Sequence, residues 1–224
     1  MRAYHFLEAR WAKDDLQNRH IRVARLDDLN DPFELLAPEL KSKSVRHSHQ
    51  LLREMLCGDR GVLCFSRGWH NPLLWSHYAD KHRGICLGFD IPDIHIARVS
   101  YSSKRLVDVV QRIWGNEPKP GKLLDKLLAT KFRDWKYEDE VRVFVTYQGM
   151  DSLKDPYLLG FADYLIPREV ILGARCVDSV ENVRALAIAS GLRVSVFKAR
   201  LAFKTFTVVR DRRIALDRAA KREQ

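Results

Sequence analysis

The sequence predicts an α+β fold, a single domain whose strand-rich, mostly antiparallel sheet is flanked by helices. The chain offers more strands than a βαβ scheme needs, and its strands and helices do not alternate regularly. Its 224 residues contain no internal repeat, low-complexity tract or Gly/Ser linker that would mark a domain boundary. We therefore expect one domain over residues 1–209, followed by a basic tail or helix over residues 210–224.

The elements follow from local patterns of apolar residues. Short apolar or alternating stretches predict strands at residues 4–7, 22–26, 61–66, 85–89, 97–101, 170–173, 192–197 and 203–209. Helices are predicted at residues 40–57, 72–83, 121–135 and 180–189.

Capping residues refine these boundaries. Asp31, Pro32 and Glu34 have the order of an N-cap, a first helical residue and a third one that reaches back, so a helix is predicted to begin there. Asn and Pro at residues 71–72 repeat this pattern, and Gly84 is expected to end the helix that they start.

Composition places the chain among ordinary globular proteins, with 46% apolar and 30% charged residues. No apolar run approaches the ~20 residues that span a bilayer. The first residues also lack the apolar stretch of a secretory signal. We expect a cytoplasmic protein with no membrane partner.

The four cysteines, Cys57, Cys64, Cys86 and Cys176, are scattered without a C-x-x-C pair. This spacing disfavours a zinc ribbon, and a reducing compartment disfavours disulfides. They are expected to be small buried apolar residues.

The net charge of +10 indicates an anionic partner, which could be nucleic acid, a nucleotide or an acidic protein. Residues 210–224 are the most basic stretch, with six basic and three acidic side chains. This stretch is either a solvated terminus or a contact for phosphates.

A strand over residues 135–145 carries charges where apolar residues are usual. With a period of two, Glu138, Glu140, Arg142 and Phe144 share one face. Neighbours on one face lie roughly 6.5–7 Å apart, so two carboxylates could hold two points of one polar ligand, such as a ribose. The alternative is a solvated face with a Glu/Arg pair.

The helix over residues 72–83 places aromatic side chains on one stripe. Trp75 and Tyr78 fall on that stripe and are expected to face inward. They either pack in the core or border a pocket and stack on a flat ligand.

Several common site motifs are missing. His70, His77 and His82 do not have the spacing of a zinc site, so no metal site is predicted. Ser66 ends a strand without a G-x-S-x-G elbow, which favours a hydrogen-bonding or structural role. The chain also lacks the phosphate loops of P-loop and Rossmann proteins.

Five ordered motifs carry a resemblance to a known family. They are Leu29-Asn30-Asp31-Pro32-Phe33-Glu34, Leu63-Cys64-Phe65-Ser66, Leu74-Trp75-Ser76-His77-Tyr78-Ala79-Asp80 followed by His82-Arg83-Gly84, Trp135-Lys136-Tyr137-Glu138-Asp139-Glu140-Val141-Arg142, and Val170-Ile171-Leu172-Gly173. Over residues 4 to about 175 the chain resembles the bacterial family called domain of unknown function 2971. The name of that family carries no activity.

The family in turn is similar to a divergent branch of the ADP-ribosyltransferase fold, a split sheet that binds NAD in a cleft. The resemblance implies that His5 holds the adenosine-side ribose and that Tyr78, with Trp75, packs on nicotinamide. Glu140 would stabilise the oxocarbenium-like state formed when the nicotinamide bond breaks. Glu138 would position or activate the acceptor. The contacts to NAD implied in this way come from His5, Asn30, Ser66, Trp75, His77, Tyr78 and Arg142.

The function implied is that of an NAD-dependent ADP-ribosyltransferase or NAD glycohydrolase, acting as a bacterial toxin or antiphage effector. Its acceptor would be a nucleic acid or a protein. Whether a partner protein neutralises it is left open by the sequence. Two alternatives remain open. One is a non-catalytic regulatory module that binds a nucleotide or nucleic acid. The other is a hydrolase or nuclease in which Glu138, Glu140 and a histidine work with a divalent ion.

Overall fold

The computed structural model describes residues 1–115, 118–147, 157–161 and 164–213. These residues group into two compact units, each assembled from segments that are distant in sequence. Unit 1 contains Met1–Ile21, Phe65–Asp93 and the described residues from Gly160 onward. Unit 2 contains Arg22–Cys64 and the described residues between Ile94 and Leu159.

The strands are β1 Arg2–Leu7, β2 His20–Arg22, β3 Ala24–Arg25, β4 Arg60–Ser66, β5 Ile85–Asp90, β6 Ala97–Arg98, β7 Ser100–Ser102, β8 Thr130–Phe132, β9 Glu140–Thr146, β10 Leu158–Gly160, β11 Ile166–Leu172, β12 Ser195–Leu201 and β13 Val208–Arg210. The α-helices are α1 Ala9–Asn18, α2 Lys43–Asp59, α3 Pro72–Tyr78, α4 Val109–Trp114, α5 Pro120–Leu128 and α6 Val180–Ala189. Two short 3₁₀ helices cover Asp93–His95 and Arg133–Glu138.

The sheet of unit 1 runs in the order β13-β12-β11-β5-β1. Its pairs are antiparallel except β11 with β12, which run parallel and are joined through α6, as a parallel pair requires a crossover. Strand β5 lies in the centre and is buried over most of its length, which explains its unbroken apolar sequence. Trp75 of α3 packs edge-on against Phe6 of β1.

Unit 2 surrounds a separate apolar cluster. Strand β3 pairs with β4 and β6 with β9, both antiparallel, while β7 and β8 run parallel. Helices α2, α4 and α5 contribute Leu52, Val110 and Leu127 to the cluster. The α+β class and a mixed sheet flanked by helices are thus confirmed. None of the helices in the described residues has both the length and the apolar character needed to cross a bilayer.

Three predicted helices differ from the structure. Residues from Asp31 form turns instead of a helix, because the Asp31 carboxylate accepts a hydrogen bond from the amide of Phe33 two residues on. Helix α3 begins at Pro72 as predicted, but it ends at Tyr78 and not at Gly84. Asp80, Lys81 and His82 follow with positive φ values of 43°, 53° and 71°, which a helix cannot contain.

The predicted helix over residues 121–135 is also too long. Helix α5 ends at Leu128, where the backbone carbonyl accepts a hydrogen bond from Arg142 Nη1 at 2.8 Å. Thr130 Oγ1 donates to the carbonyl of Lys126 at 2.6 Å. These side chains satisfy carbonyls that a longer helix would have bonded itself, and β8 begins directly afterwards.

No disulfide joins the four cysteines, all of which lie in the described residues; Cys57, Cys86 and Cys176 are buried as predicted, while Cys64 is half-buried. Helix α6 matches its predicted bounds. The division at residues 209 and 210 stays a prediction, and residues 214–224 of the predicted basic tail lie outside the described residues.

Candidate functional site

Unit 2 contains five charged side chains that form one buried network. Its members are Glu34, Lys131, Glu138, Glu140 and Arg142. Each is at most 7% exposed, so these charges depend on one another and not on water for their stabilisation. We call this set the charge network.

Arg142 is the centre of the charge network and is 1% exposed. Its Nη1 and Nη2 donate to the two carboxylate oxygens of Glu34 at 2.6 and 3.0 Å. Its Nε donates to Glu140 Oε1 at 2.8 Å. Burial acts to lower the pKa of Arg142, but the charges of Glu140 and Glu34 outweigh it and raise the pKa well above its usual value.

Lys131 joins the two glutamates of the Glu-x-Glu motif. Its Nζ donates to Glu138 Oε2 at 2.6 Å and lies 3.3 Å from Glu140 Oε2. Burial acts to raise the pKa of Glu140, yet the positive charges of Arg142 and Lys131 outweigh it, so the pKa is lowered. Glu140 is therefore an ionised carboxylate at neutral pH.

The local backbone explains how the two carboxylates converge. Glu138 ends a 3₁₀ helix, Asp139 follows with φ of 47°, and Glu140 opens β9. The prediction that Glu138 and Glu140 share one strand face is therefore wrong, because the left-handed residue between them redirects the chain. Neither is the face solvated, since both side chains are buried against Lys131.

A pocket of about 250 Å³ lies beside the charge network in unit 2. Its lining residues are Phe33, Leu36, Ala37, Ser102, Ser103, Lys104, Arg105, Thr130, Lys131 and Phe132. Lys131 belongs to both the pocket and the network. Three cations, three hydroxyls and two half-exposed aromatic rings thus surround one cavity.

Arg105 is held in place at the edge of this pocket. Its guanidinium lies 5.0 Å from the ring centroid of Phe33, and its Nη1 donates to the carbonyl of Leu36. Phe132 and Lys104 are exposed. This arrangement can accept phosphate groups on the cations and a planar ring against a phenylalanine.

The other residues implied by the resemblance are distributed between the units. Glu138, Glu140 and Arg142 are brought together in unit 2, to which the exposed Asn30 also belongs. His5, Ser66, Trp75, His77 and Tyr78 belong to unit 1.

Within unit 1, Trp75 is fully buried and its Nε1 donates to the carbonyl of Trp69 at 2.6 Å. The core-packing interpretation of the aromatic stripe therefore holds for Trp75. Ser66 Oγ donates to the carbonyl of Gly68 and accepts from its amide, so the hydroxyl stabilises the loop after β4.

The remaining three side chains of unit 1 are more accessible. The rings of the exposed His77 and the half-buried Tyr78 lie 6.0 Å apart on α3. His5 is half-buried on β1, with its ring 5.5 Å from that of Phe65.

Sequence reasoning missed Lys131 and Glu34 as partners of the Glu-x-Glu motif. The sequence predicts a capping role for Glu34, whereas in the structure Glu34 is buried and paired with Arg142. Lys131 fell within a predicted helix, where a lysine is ordinary. The charge-rich strand itself was the available signal, because buried charges require partners somewhere in the fold.

Comparisons of the chain with protein-family models, with curated proteins and with solved structures find no match. The resemblance to the domain of unknown function 2971 family and to the ADP-ribosyltransferase fold thus stays an expectation that rests on the motifs quoted above.

Proposed function

We propose that unit 2 binds a nucleotide in the pocket beside the charge network, and that NAD is its ligand. The observation that carries the proposal is the convergence of Lys104, Arg105 and Lys131 with two phenylalanine rings on one cavity. Clustered cations suit phosphates, while phenylalanine faces suit a base or a nicotinamide ring.

The size of the pocket limits how a dinucleotide would sit. A volume of about 250 Å³ is at the small end of ligand pockets, which span roughly 300–1,000 Å³. One half of NAD would therefore enter, with a phosphate on the exposed Lys104 and a ring against Phe132. The other half would extend beyond the lining residues.

The test is calorimetric titration of the full chain with NAD, ADP-ribose and nicotinamide mononucleotide at low and moderate salt. Lys104→Ala should weaken binding at least about tenfold and reduce its salt dependence, because one phosphate contact is lost. Lys122→Ala is the matched control, since Lys122 is an exposed lysine on α5 outside the pocket lining. Equal affinities for the two variants, or no binding by the wild type, would overturn the proposal.

A second proposed function is cleavage of NAD, by ADP-ribosyl transfer or hydrolysis. Its support is that Lys131 lines the pocket and also holds both carboxylates of Glu138 and Glu140. An ionised Glu140 could stabilise the positive charge that develops on the ribose as nicotinamide leaves. Glu138 would orient the water or the acceptor.

Binding ranks above cleavage for a geometric reason. Both oxygens of Glu140 already contact Arg142, and Oε2 also contacts Lys131. To hold a ribose hydroxyl, Glu140 has to exchange one of these bonds for the substrate. No such exchange of Glu140 bonds is required for a phosphate to contact the exposed Lys104 at the pocket.

Nicotinamide release, measured by chromatography with and without RNA, DNA and bacterial lysate, tests this second function. Glu140→Gln should abolish release, whereas Asp134→Asn should not, because Asp134 is an exposed carboxylate on the adjacent 3₁₀ helix. Release by the wild type that persists in Glu140→Gln would remove Glu140 from the reaction. NAD binding without any release of nicotinamide would support the binding function and rule out cleavage.

A nucleic-acid partner is proposed for the turn between β12 and β13 in unit 1. Phe203 is 81% and Phe206 99% exposed there. The guanidinium of Arg200 lies 4.5 Å from the ring centroid of Phe203, and that of Arg213 lies 6.0 Å away. Exposed rings flanked by cations match the stacking surfaces that bind single-stranded nucleic acids.

A further inference from the structure

Two aspartates and a histidine of unit 1 converge at the C-terminal end of α1. Asp14 and Asp15 lie near the end of that helix, Arg19 ends it with φ of 55°, and His20 opens β2. His20 Nε2 lies 2.9 Å from Asp14 Oδ2 and 3.7 Å from Asp15 Oδ1. One potential ligand atom of each residue lies within 4.8 Å of the others.

Asp15 is a largely buried aspartate, and its Oδ1 lies 3.7 Å from His20 Nε2. The residue is 4% exposed, and within the described residues no group donates a hydrogen bond to its side chain. Buried carboxylates normally accept such bonds. The C-terminal end of a helix also carries partial negative charge, which makes two adjacent aspartates unfavourable there. A bound cation would offset this negative charge.

We propose that Asp14, Asp15 and His20 bind a divalent transition-metal ion, with Zn²⁺ as the reference metal. Zinc–nitrogen and zinc–oxygen bonds of about 2.0–2.2 Å place tetrahedral ligand atoms ~3.4 Å apart. The observed separations of 2.9 and 3.7 Å lie on either side of this value. The ligand oxygens of Asp14 and Asp15 lie within 4.8 Å of each other, so side-chain shifts of up to about 1.5 Å would close the site around an ion.

The charges and the surrounding contacts fit the same ion. Two carboxylates balance a divalent charge, while a neutral imidazole adds a nitrogen ligand. The mixed nitrogen and oxygen set favours zinc or a similar transition metal over magnesium or calcium, which prefer oxygen. Asn18 Nδ2 donates to Asp14 Oδ1 at 2.8 Å, which orients Asp14 and leaves Oδ2 for the metal.

Because these three residues lie in unit 1 and outside the pocket of unit 2, the metal site is independent of the proposed nucleotide binding. With three protein ligands and an exposed Asp14, a fourth position would be open to water or another ligand. This is the coordination that catalytic zinc sites keep, whereas structural sites are closed by four protein ligands.

The experiment titrates the chelator-treated full chain with Zn²⁺ by competition with a chromophoric chelator, and follows thermal unfolding in parallel. One Zn²⁺ should bind per chain, and the melting temperature should rise with its concentration. Asp15→Asn and His20→Gln should each weaken binding at least about tenfold. His47→Gln, which changes an exposed histidine of α2, is the control and should bind as the wild type does.

Asp15→Asn also separates a metal site from a merely structural cluster. Without metal, this variant should melt at a higher temperature than the wild type, because it removes a buried charge that lacks a donor. With Zn²⁺, the order should reverse. Absence of Zn²⁺ binding, or binding that neither variant changes, would overturn the proposal.

Discussion

Arg142 and Glu34 are 108 residues apart in sequence, yet they form a two-point ion pair in which each terminal nitrogen of Arg142 bonds a different oxygen of Glu34. Both side chains are buried. The pair therefore ties the turn after β3 to strand β9 through charge instead of apolar packing. Removing one partner leaves the other charge uncompensated, and this is costly in a protein interior.

Arg142→Met tests this dependence, because it keeps an unbranched side chain while removing the charge. We expect a loss of about 3–5 kcal/mol in the free energy of unfolding, since Glu34 and Glu140 both lose the hydrogen bonds that Arg142 donates. Urea denaturation at pH 7 measures the loss. Arg133→Met is the control and should change the free energy of unfolding by less than about 0.5 kcal/mol, because Arg133 is exposed. Near-equal stability of Arg142→Met and the control would contradict the expectation.

Because the pKa of Glu140 is lowered in the folded protein, the free energy of unfolding should decrease at acidic pH. Burial opposes the shift, but Arg142 and Lys131 hold the pKa below its ordinary 4.5. Stabilisation from this group is complete above the pKa in the unfolded chain, about 4.3, and is lost as pH falls through the lower folded-state pKa. Urea unfolding between pH 7 and 3 should show this loss, with a shallower decline in Glu140→Gln. If the free energies of unfolding of the wild type and of Glu140→Gln fell in parallel with pH, Glu140 would not be the source of the acid dependence.

Phe206 and Phe132 allow the two proposed ligand surfaces to be separated. Phe206→Ala should weaken binding of a labelled single-stranded oligonucleotide by about 1–3 kcal/mol, because a stacking face is lost. It should leave NAD affinity unchanged. Phe132→Ala should weaken NAD binding and leave oligonucleotide affinity unchanged, since Phe132 lines the pocket of unit 2. Fluorescence anisotropy and calorimetry measure the two affinities, and equal effects of both variants on either ligand would refute the assignment.

Replacement of glycine by alanine should change the free energy of unfolding in opposite directions at Gly84 and Gly58. A Cβ at Gly84 would lie directly against the carbonyl oxygen of Leu7, so Gly84→Ala should lower the free energy of unfolding by roughly 3 kcal/mol. Gly58 lies in α2 with open space around it, so Gly58→Ala should raise that energy by about 0.5–1 kcal/mol. Thermal and urea unfolding of both variants would reveal whether the signs differ.

The sequence predicts an element correctly where a single residue type, or a run of one type, determines the backbone conformation. Asn71 and Pro72 place the start of α3, and the apolar run of β5 predicts a buried strand. The end of α3 was missed because three non-glycine residues adopt positive φ, which residue type does not reveal. The two-unit organisation was also hidden, since no linker marks the points where the chain passes from one unit to the other.

The charge network shows a second limit of prediction from sequence, which concerns side-chain direction and contacts between distant residues. The motif Glu138-Asp139-Glu140 predicts a regular strand, but in the structure Asp139 follows a 3₁₀ helix with a left-handed backbone. Its positive φ decides where both glutamates point. Lys131 and Glu34 could not be assigned as partners, because their meeting depends on tertiary contacts that the sequence does not display.

The strand order of unit 1 has a consequence for synthesis of the chain. Strand β1 pairs with β5 over its whole length, and Arg2 bonds Asp90 across a separation of 88 residues. At a translation rate of about 5–20 residues per second, roughly 4–18 s pass between the synthesis of Arg2 and that of Asp90. Strand β11, which covers the other edge of β5, arrives later still. The nascent chain therefore exposes unpaired strand edges for seconds, and this interval is when a ribosome-associated chaperone would have most to protect.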